Sequence, residues 1–382
     1  MNIWIWGIGA SGKFVYRYLH DKGLHVKGII DNNPVYWNFS YGGLRVAGYD
    51  EQKSFINTTD ILIICAGRDK YEHIKNQLAS DGISNGVWMY EYIDDPSYTN
   101  RVLVDQKKLD CSSKLCDSTD FDDTIFRDYY NRIQLIPKFK SYHIIFHRKM
   151  WEWCYIAATL KKARLLEDNR KGIGFAVGTE PLPSLFASEG VCVTATDLCA
   201  DTDEAMNWSV DDQNAGSDVD NLYYKELCKK KLFYKNVEYY DVDMNYIPDE
   251  ICNGQYDFCW SSCAIEHVGS LEKSKRFLMN MIKCLKPGGV AVHTTEFNLS
   301  SDVDTIEYGG SVIWRRRDVE EIKDYFNSMG CNMEVSYYRT DNEANNYIDL
   351  PPFKGECKPY HMNLVIDGYL STSIALVIRN KS

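Results

Sequence analysis

The stretch Gly172-Ile173-Gly174-Phe175-Ala176-Val177-Gly178-Thr179-Glu180 decides the fold. Gly172–Val177 reads as an apolar strand that turns at a glycine into Leu182–Ser188, a helix closed by Gly190. Val191–Thr196 follows as a second strand and ends on Asp197 and Leu198. Strand, glycine turn, helix and strand in that order predict a doubly wound α/β unit. Further on, Val237–Val242 closes on Asp243-Met244, and Tyr256–Trp260 closes on Ser261-Ser262. Lys273–Leu285 has helical spacing and stops at Lys286-Pro287-Gly288-Gly289, after which Val290–Thr294 is the next strand. Each polar end falls at the carboxyl end of a strand, where open parallel sheets bind ligands.

The chain opens with the same grammar. Ile3–Trp6 is a short apolar strand, Gly7-Ile8-Gly9-Ala10-Ser11-Gly12 is a glycine turn, and Lys13–Lys22 is helical. Val26–Ile30 is the second strand and closes on Asp31. Gly7, Gly9 and Gly12 would let backbone amides approach a phosphate at the helix N-terminus, with Asp31 on a ribose hydroxyl. The pattern is read as a Rossmann-like module without redox chemistry. Residues 96–125 are acidic with weak periodicity and read as a linker, and 126–168 are helical. The expected class is α/β, two Rossmann-like doubly wound parallel sheets joined by a helical linker. The expected boundaries are 1–95, 96–168 and 169–382.

Composition narrows the function. The net charge is −11, which gives no overall drive toward nucleic acid or anionic lipid. No apolar run approaches the roughly 18 residues of a membrane helix, and Met1-Asn2 leads into Ile3-Trp4 without a basic leader. The 13 Cys are scattered without a CxxC pair, which predicts reduced thiols, a cytoplasmic location and no zinc site. Partners are then a small molecule or a glycan. The oligomeric state is not legible.

Residues 1–95 resemble the small nucleotide-binding domain of bacterial sugar acyltransferases and other surface-glycan enzymes. Trp6–Gly12, Gly28-Ile29-Ile30-Asp31-Asn32-Asn33-Pro34 and Gly43-Leu44-Arg45-Val46 carry the likeness. It implies a nucleotide or nucleotide-sugar in this domain. Residues from about 150 to 382 resemble the Rossmann-fold methyltransferases that use S-adenosyl-L-methionine (SAM). The likeness rests on Arg148–Trp153, Gly174–Pro183, Thr194–Asp197, Asp243-Met244, Trp260–His267 and Leu285–Gly289. Glu180 departs from that family's pattern, standing where a second glycine is usual.

SAM has no pyrophosphate, so a full GxGxxG is not needed. A carboxylate at Glu180 is tolerable beside a sulfonium and an α-ammonium. Gly174 and Gly178 would admit the amino-acid part, Asp197 would take the ribose hydroxyls, and Asp243 the adenine N6 amine with Met244 against the ring. Ser261 would lie near the donor. Glu266-His267 and His293-Thr294-Thr295-Glu296 follow adjacent strands. His267 is the expected general base, with Glu266 and His293 orienting it or binding substrate. No metal is assigned, although His267, His293 and Glu296 have suitable ligand types. The loop 197–224 is rich in acids, with Trp208 and Gln213 placed to close over the donor, and Arg315-Arg316-Arg317 is a candidate anion site.

The expected activity is O-methylation of a sugar, nucleotide-sugar or glycan precursor. The alternatives are a lipid or small-metabolite methyltransferase, a bifunctional enzyme whose first domain binds NAD(P), and a SAM-binding protein without catalysis.

Overall fold

The structure is a computed structural model that describes residues 2–93, 104–105, 109, 112–142, 146–199, 218–351, 353 and 358–381. It divides into two compact units, residues 1–101 with 346–371, and residues 102–345 with 372–382.

In the first unit β1 (Ile3–Trp6) is buried along its whole length, as a central strand covered on both faces must be. It leads into α1 (Ala10–Asp21) and β2 (Val26–Ile30). The short strands β3 (Ser40–Tyr41) and β4 (Leu44–Ala47) precede α2 (Tyr49–Gln52) and β5 (Ile61–Ile64). Then come α3 (Arg68–Ser80), β6 (Gly86–Trp88) and α4 (Met89–Tyr92). The sheet order is β3-β4-β2-β1-β5-β6. All pairs are parallel except β3 with β4.

The second unit begins with β7 (Ser113–Leu115), α5 (Thr124–Ile133), β8 (Phe146–His147) and α6 (Arg148–Lys162). Its sheet is built from β9 (Lys171–Gly174), β10 (Cys192–Asp197), β11 (Val237–Asp241), β12 (Tyr256–Ser262) and β13 (Leu285–Asn298). The helices α7 (Leu182–Ser188), α8 (Lys230–Asn236), α9 (Leu271–Met281) and α10 (Arg316–Ser328) connect them, followed by β14 (Val335–Ser336) and α11 (Glu343–Asn346). Strands β11-β10-β9-β12-β13 run in that order, parallel throughout. The order reverses direction at β9, so the ligand crevice is expected at the carboxyl ends of β9 and β12.

The chain then returns to the first unit with β15 (Ile348–Asp349), β16 (Tyr360–His361) and β17 (Asn363–Ile366). Leu350 exchanges hydrogen bonds with the Tyr90 hydroxyl, Lys13 pairs with Asp367, and the Arg17 guanidinium lies 4.0 Å over the Tyr369 ring. β18 (Tyr369–Arg379) ends the chain, and from Thr372 it belongs to the second unit, where it follows β13 in the sheet.

The division therefore differs from the expected boundaries. α6, expected in a linker, has Trp151, Cys154, Ile156, Ala157 and Leu160 fully buried. An apolar helix of this kind is a core element. The described part of the acidic stretch is also anchored. Asp117 is buried and accepts hydrogen bonds from the Thr119 amide (2.9 Å), the Thr340 amide (2.7 Å) and the Asn345 amide group (3.0 Å). No helix among the described residues is long and apolar enough to cross a membrane.

Candidate active site

Gly174 belongs to β9 itself, where a Cβ would lie 2.4 Å from the Trp260 indole on β12. Its glycine is a packing requirement, which differs from the donor contact expected. The turn proper is Ala176 and Gly178, both at positive φ (47° and 52°). Asp197, at the end of β10, accepts from the Gly178 amide (3.1 Å) and from the Leu198 amide (2.8 Å). Asp243 is exposed two residues beyond β11, and its Oδ1 caps its own turn through the Asn245 amide (2.8 Å), while Met244 is buried.

Glu180 is buried and accepts the Trp260 indole N–H at 2.7 Å. Burial pushes its carboxyl up to about 8, with Asp197 adding to the rise and the indole and Lys149 opposing it. At neutral pH it is mostly protonated. The Lys138 ammonium donates to the Thr179 hydroxyl at 2.9 Å on the same loop.

The next strand end carries the reactive groups. Cys263, directly after β12, sits at φ 47°, held by hydrogen bonds from its amide to Thr294 O and Oγ1 (both 3.1 Å). Non-glycine residues in this region collect at functional sites. Three residues on, the Glu266 carboxyl is buried and accepts from the Thr295 hydroxyl at 3.1 Å. Burial first, and then Glu296, raise its proton affinity. His267 is partly exposed. Its Nδ1 lies 2.6 Å from the Gly310 carbonyl, and its Nε2 lies 3.9 Å from Glu266 Oε1.

His293 does not join this group. It pairs in register with Ser261, whose hydroxyl is 2.8 Å from Nδ1, and lies fully buried against the Phe277 ring of α9. Burial pulls its pKa down to about 3, so it stays neutral in the core. The expected catalytic place for His293 is corrected by its full burial. β13 runs on to Asn298, past the Thr294 end expected, so His293 lies inside the sheet.

Sequence reading missed the N-terminus of α6, which delivers Arg148, Lys149 and Glu152 to the same edge. Arg148 pairs with Glu296, Lys149 Nζ is 3.3 Å from Glu152, and the Cys263 thiol donates to Glu152 at 2.9 Å. Although burial would raise the carboxyl of Glu152, Lys149 and Arg148 hold it below its ordinary value. Ligand atoms of Cys263, Glu266 and Glu296 lie within 4.8 Å of one another, a donor set of metal-binding type. Arg148 and Lys149 already balance the carboxylates here, which disfavours a further cation. A signal existed in the run Arg148-Lys149-Met150-Trp151-Glu152, charged at the head of an apolar helix. The arginine run is spoken for. Arg315 pairs with Asp318 and Glu307, Arg316 with Asp105, and Arg317 with Asp302. Trp208 and Gln213 lie outside the described residues.

In the first unit Gly7 (φ 101°) donates to Ile30 O at 2.7 Å, and a Cβ on Gly12 would lie 1.8 Å from Gly7 O. A Cβ on Gly9 would meet nothing within 4 Å, and the first turn of α1 has no acid. Asp31 spends Oδ2 on the Ile8 amide (2.9 Å) and Oδ1 on the Asn33 amide (2.8 Å).

Residues 174–293 match the methyltransferase domain family. With its parallel sheet and strand-end acids, the second unit is a SAM-dependent methyltransferase domain. No curated protein is recognisably similar in sequence. Among solved structures, magnesium protoporphyrin IX methyltransferase from Synechocystis PCC 6803 with bound SAH is similar over 69% of this chain and 97% of its own, at 12% identity and a TM-score of 0.37. A SAM-dependent methyltransferase from Clostridium acetobutylicum ATCC 824 is similar over 60% of this chain and 91% of its own, at 11% identity and a TM-score of 0.33. RSP in complex with β-NADH shares 27% identity over 23% of this chain and 44% of its own, at a TM-score of 0.21. Likenesses this loose carry no argument about the methyltransferase domain or its partner unit.

Proposed function

We propose that the methyltransferase domain transfers a methyl group from SAM to a hydroxyl of a sugar, nucleotide-sugar or glycan precursor, with His267 as general base. The observation that carries this reading is the 2.6 Å contact of His267 Nδ1 with the Gly310 carbonyl. A carbonyl only accepts, so Nδ1 bears the proton and the neutral ring offers its lone pair at Nε2. SAM, when bound, supplies an electrophilic methyl. The acceptor oxygen forms its bond to that carbon as the carbon–sulfur bond breaks, and the hydroxyl proton passes to His267 Nε2. Glu266, whose Oε1 lies 3.9 Å from Nε2, stands beside that nitrogen and balances the positive charge that appears on the ring.

For the donor, Gly178, Asp197 and Leu198 line the amino-acid and ribose end, Asp243 and Met244 the adenine, and Glu180 the α-ammonium side. In the first unit, the bare Gly9 at the head of a twelve-residue helix without early acids supports a nucleotide phosphate there. A cytoplasmic location is supported by the cysteines, since those described are free thiols.

The test is product mass. The full chain is incubated with SAM carrying a trideuterated methyl and a panel of methyl pyranosides, nucleotide-sugars and lipid extracts. Label in the sugar fraction on oxygen is expected. Label confined to the lipid fraction, or on nitrogen, would overturn the reading.

A further inference from the structure

Tyr308 is 75% exposed, and its ring has no aromatic or cationic partner among the described residues. Its loop is nonetheless firmly held. The Leu271 amide donates to Glu307 O (2.9 Å), the Gly309 amide donates to Gly269 O (3.1 Å), and Tyr308 forms an antiparallel bridge with Ser270. Arg315 pairs with Glu307 at 2.8 Å, and the Val312 amide donates to Glu266 O at 2.9 Å. A rigid loop that keeps a large ring in water loses the gain of burying it.

The neighbouring backbone is bare. Gly309 is at φ 110°, and a Cβ on either Gly309 or Gly310 would meet nothing within 4 Å. Gly310 is the residue whose carbonyl holds His267 Nδ1. Two Cα steps separate Tyr308 from Gly310, so their Cα atoms are at most about 7.6 Å apart. An exposed aromatic face, open backbone and the base therefore share one short, fastened loop.

We propose that Tyr308 and the bare Gly309-Gly310 backbone form the acceptor platform, on which a pyranose ring stacks and presents a hydroxyl to His267 Nε2. One face of a pyranose is lined by C–H groups, which suit the electron-rich face of an aromatic ring. Its rim of hydroxyls suits the Gly309 carbonyl and the Gly310 amide, which no side chain screens; the Gly309 amide and the Gly310 carbonyl are held by Gly269 and His267. A flat aromatic acceptor would gain from the ring and little from the peptide groups. A lipid chain would gain from the ring alone. This inference rests on the sugar reading of the acceptor and deepens it.

The test uses the full chain saturated with SAH and a panel of methyl pyranosides (gluco, galacto and manno), which carry no nucleotide and so do not report on the first unit. Saturation-transfer NMR reads pyranoside binding, and calorimetry reads SAH affinity in parallel. Binding by the wild type, retention in Tyr308→Phe and a loss of about tenfold in Tyr308→Ala are expected, with SAH affinity unchanged in all three. Tyr308→Phe keeps the stacking face and controls for folding. Equal pyranoside binding in Tyr308→Ala and wild type would overturn the platform and leave the sugar reading standing. No pyranoside binding by a wild type that binds SAH would overturn both.

Discussion

Asp31 in the first unit accepts from the amide of Ile8 at 2.9 Å, and Asp197 in the second accepts from the amide of Gly178 at 3.1 Å. Both acids close the β2-type strand of a parallel sheet, and both brace the glycine turn beside it. The difference lies in what else each site holds. The first leaves an open helix N-terminus with no acid in its first turn, a setting for a phosphate. The second buries Glu180 under the Trp260 indole, a carboxyl whose ionised form a cationic donor would favour. Beyond its turn the second unit places Cys263, Glu266 and His267 on the strand edge, whereas no comparable base stands beside the turn of the first unit among the described residues. On the proposed reading, one local scaffold serves anion binding in one unit and methyl transfer in the other.

The largest effect that could break this contrast is at His267. If the second unit alone carries chemistry, His267→Ala should lower kcat by about 10²–10⁴-fold and leave SAH affinity unchanged. Rapid-quench turnover with a labelled donor, beside calorimetry, reads the two quantities separately. A variant within a few-fold of wild type would return the step to proximity alone.

A second test sharpens the contrast from the first unit. A Cβ at Gly12 would lie 1.8 Å from Gly7 O, so Gly12→Ala should destabilise that unit by about 3 kcal/mol or more. Gly9→Ala, with no neighbour within 4 Å, should cost about 1 kcal/mol or less. It should still weaken binding of a probe such as UDP, because its methyl stands where a phosphate would approach. Urea unfolding and UDP titration decide. Equal stability of the two variants would remove the close-approach argument.

The third effect is on the donor. Asp197→Ala removes a carboxylate that braces Gly178 and, on the proposed reading, takes the ribose, and SAM should bind about 10- to 150-fold more weakly. Asp31→Ala in the same chain should leave SAM affinity unchanged. If both variants weakened SAM equally, the separate assignment of the two turns would be lost.

Strand ends were the legible part of this molecule. The glycine turn and Asp197 could be placed because apolar runs of strand length stop at them. His293 could not, because Thr294 to Asn298 read as polar and yet continue β13 in buried surroundings. The charged head of α6 was legible as a motif, Arg148–Trp153, and not in its role at the site. Arg148, Lys149 and Glu152 look like a solvated helix start, and only the folded sheet shows that they meet Glu296 and Cys263. The 346–371 return to the first unit has no local signature, since it is defined by distant partners such as Tyr90 and Lys13.

The smallest effect concerns Glu180, where the two turns differ most in charge. In the free protein its carboxyl is pushed up to about 8 by burial, so at pH 7 it is about nine-tenths protonated. A sulfonium and an α-ammonium nearby favour the ionised form, so SAM should bind with release of a proton. Binding at pH 7 then carries the cost of that ionisation, and the cost fades as pH passes through the free-state value. SAM affinity should therefore rise by about tenfold, roughly 1.4 kcal/mol, from pH 7 to pH 9. The ligand's own ammonium loses its proton over part of this range and pulls the other way. Glu180→Gln isolates that contribution, because it keeps an acceptor for the Trp260 indole and cannot ionise. The quantity to read is the difference between wild type and variant, together with the protons released in buffers of different ionisation enthalpy. SAH lacks the sulfonium and should show a smaller difference than SAM. A wild type and a Glu180→Gln variant with parallel pH profiles would mean that Glu180 stays protonated with the donor bound, leaving the turn neutral and the electrostatic contrast with the first unit without its basis.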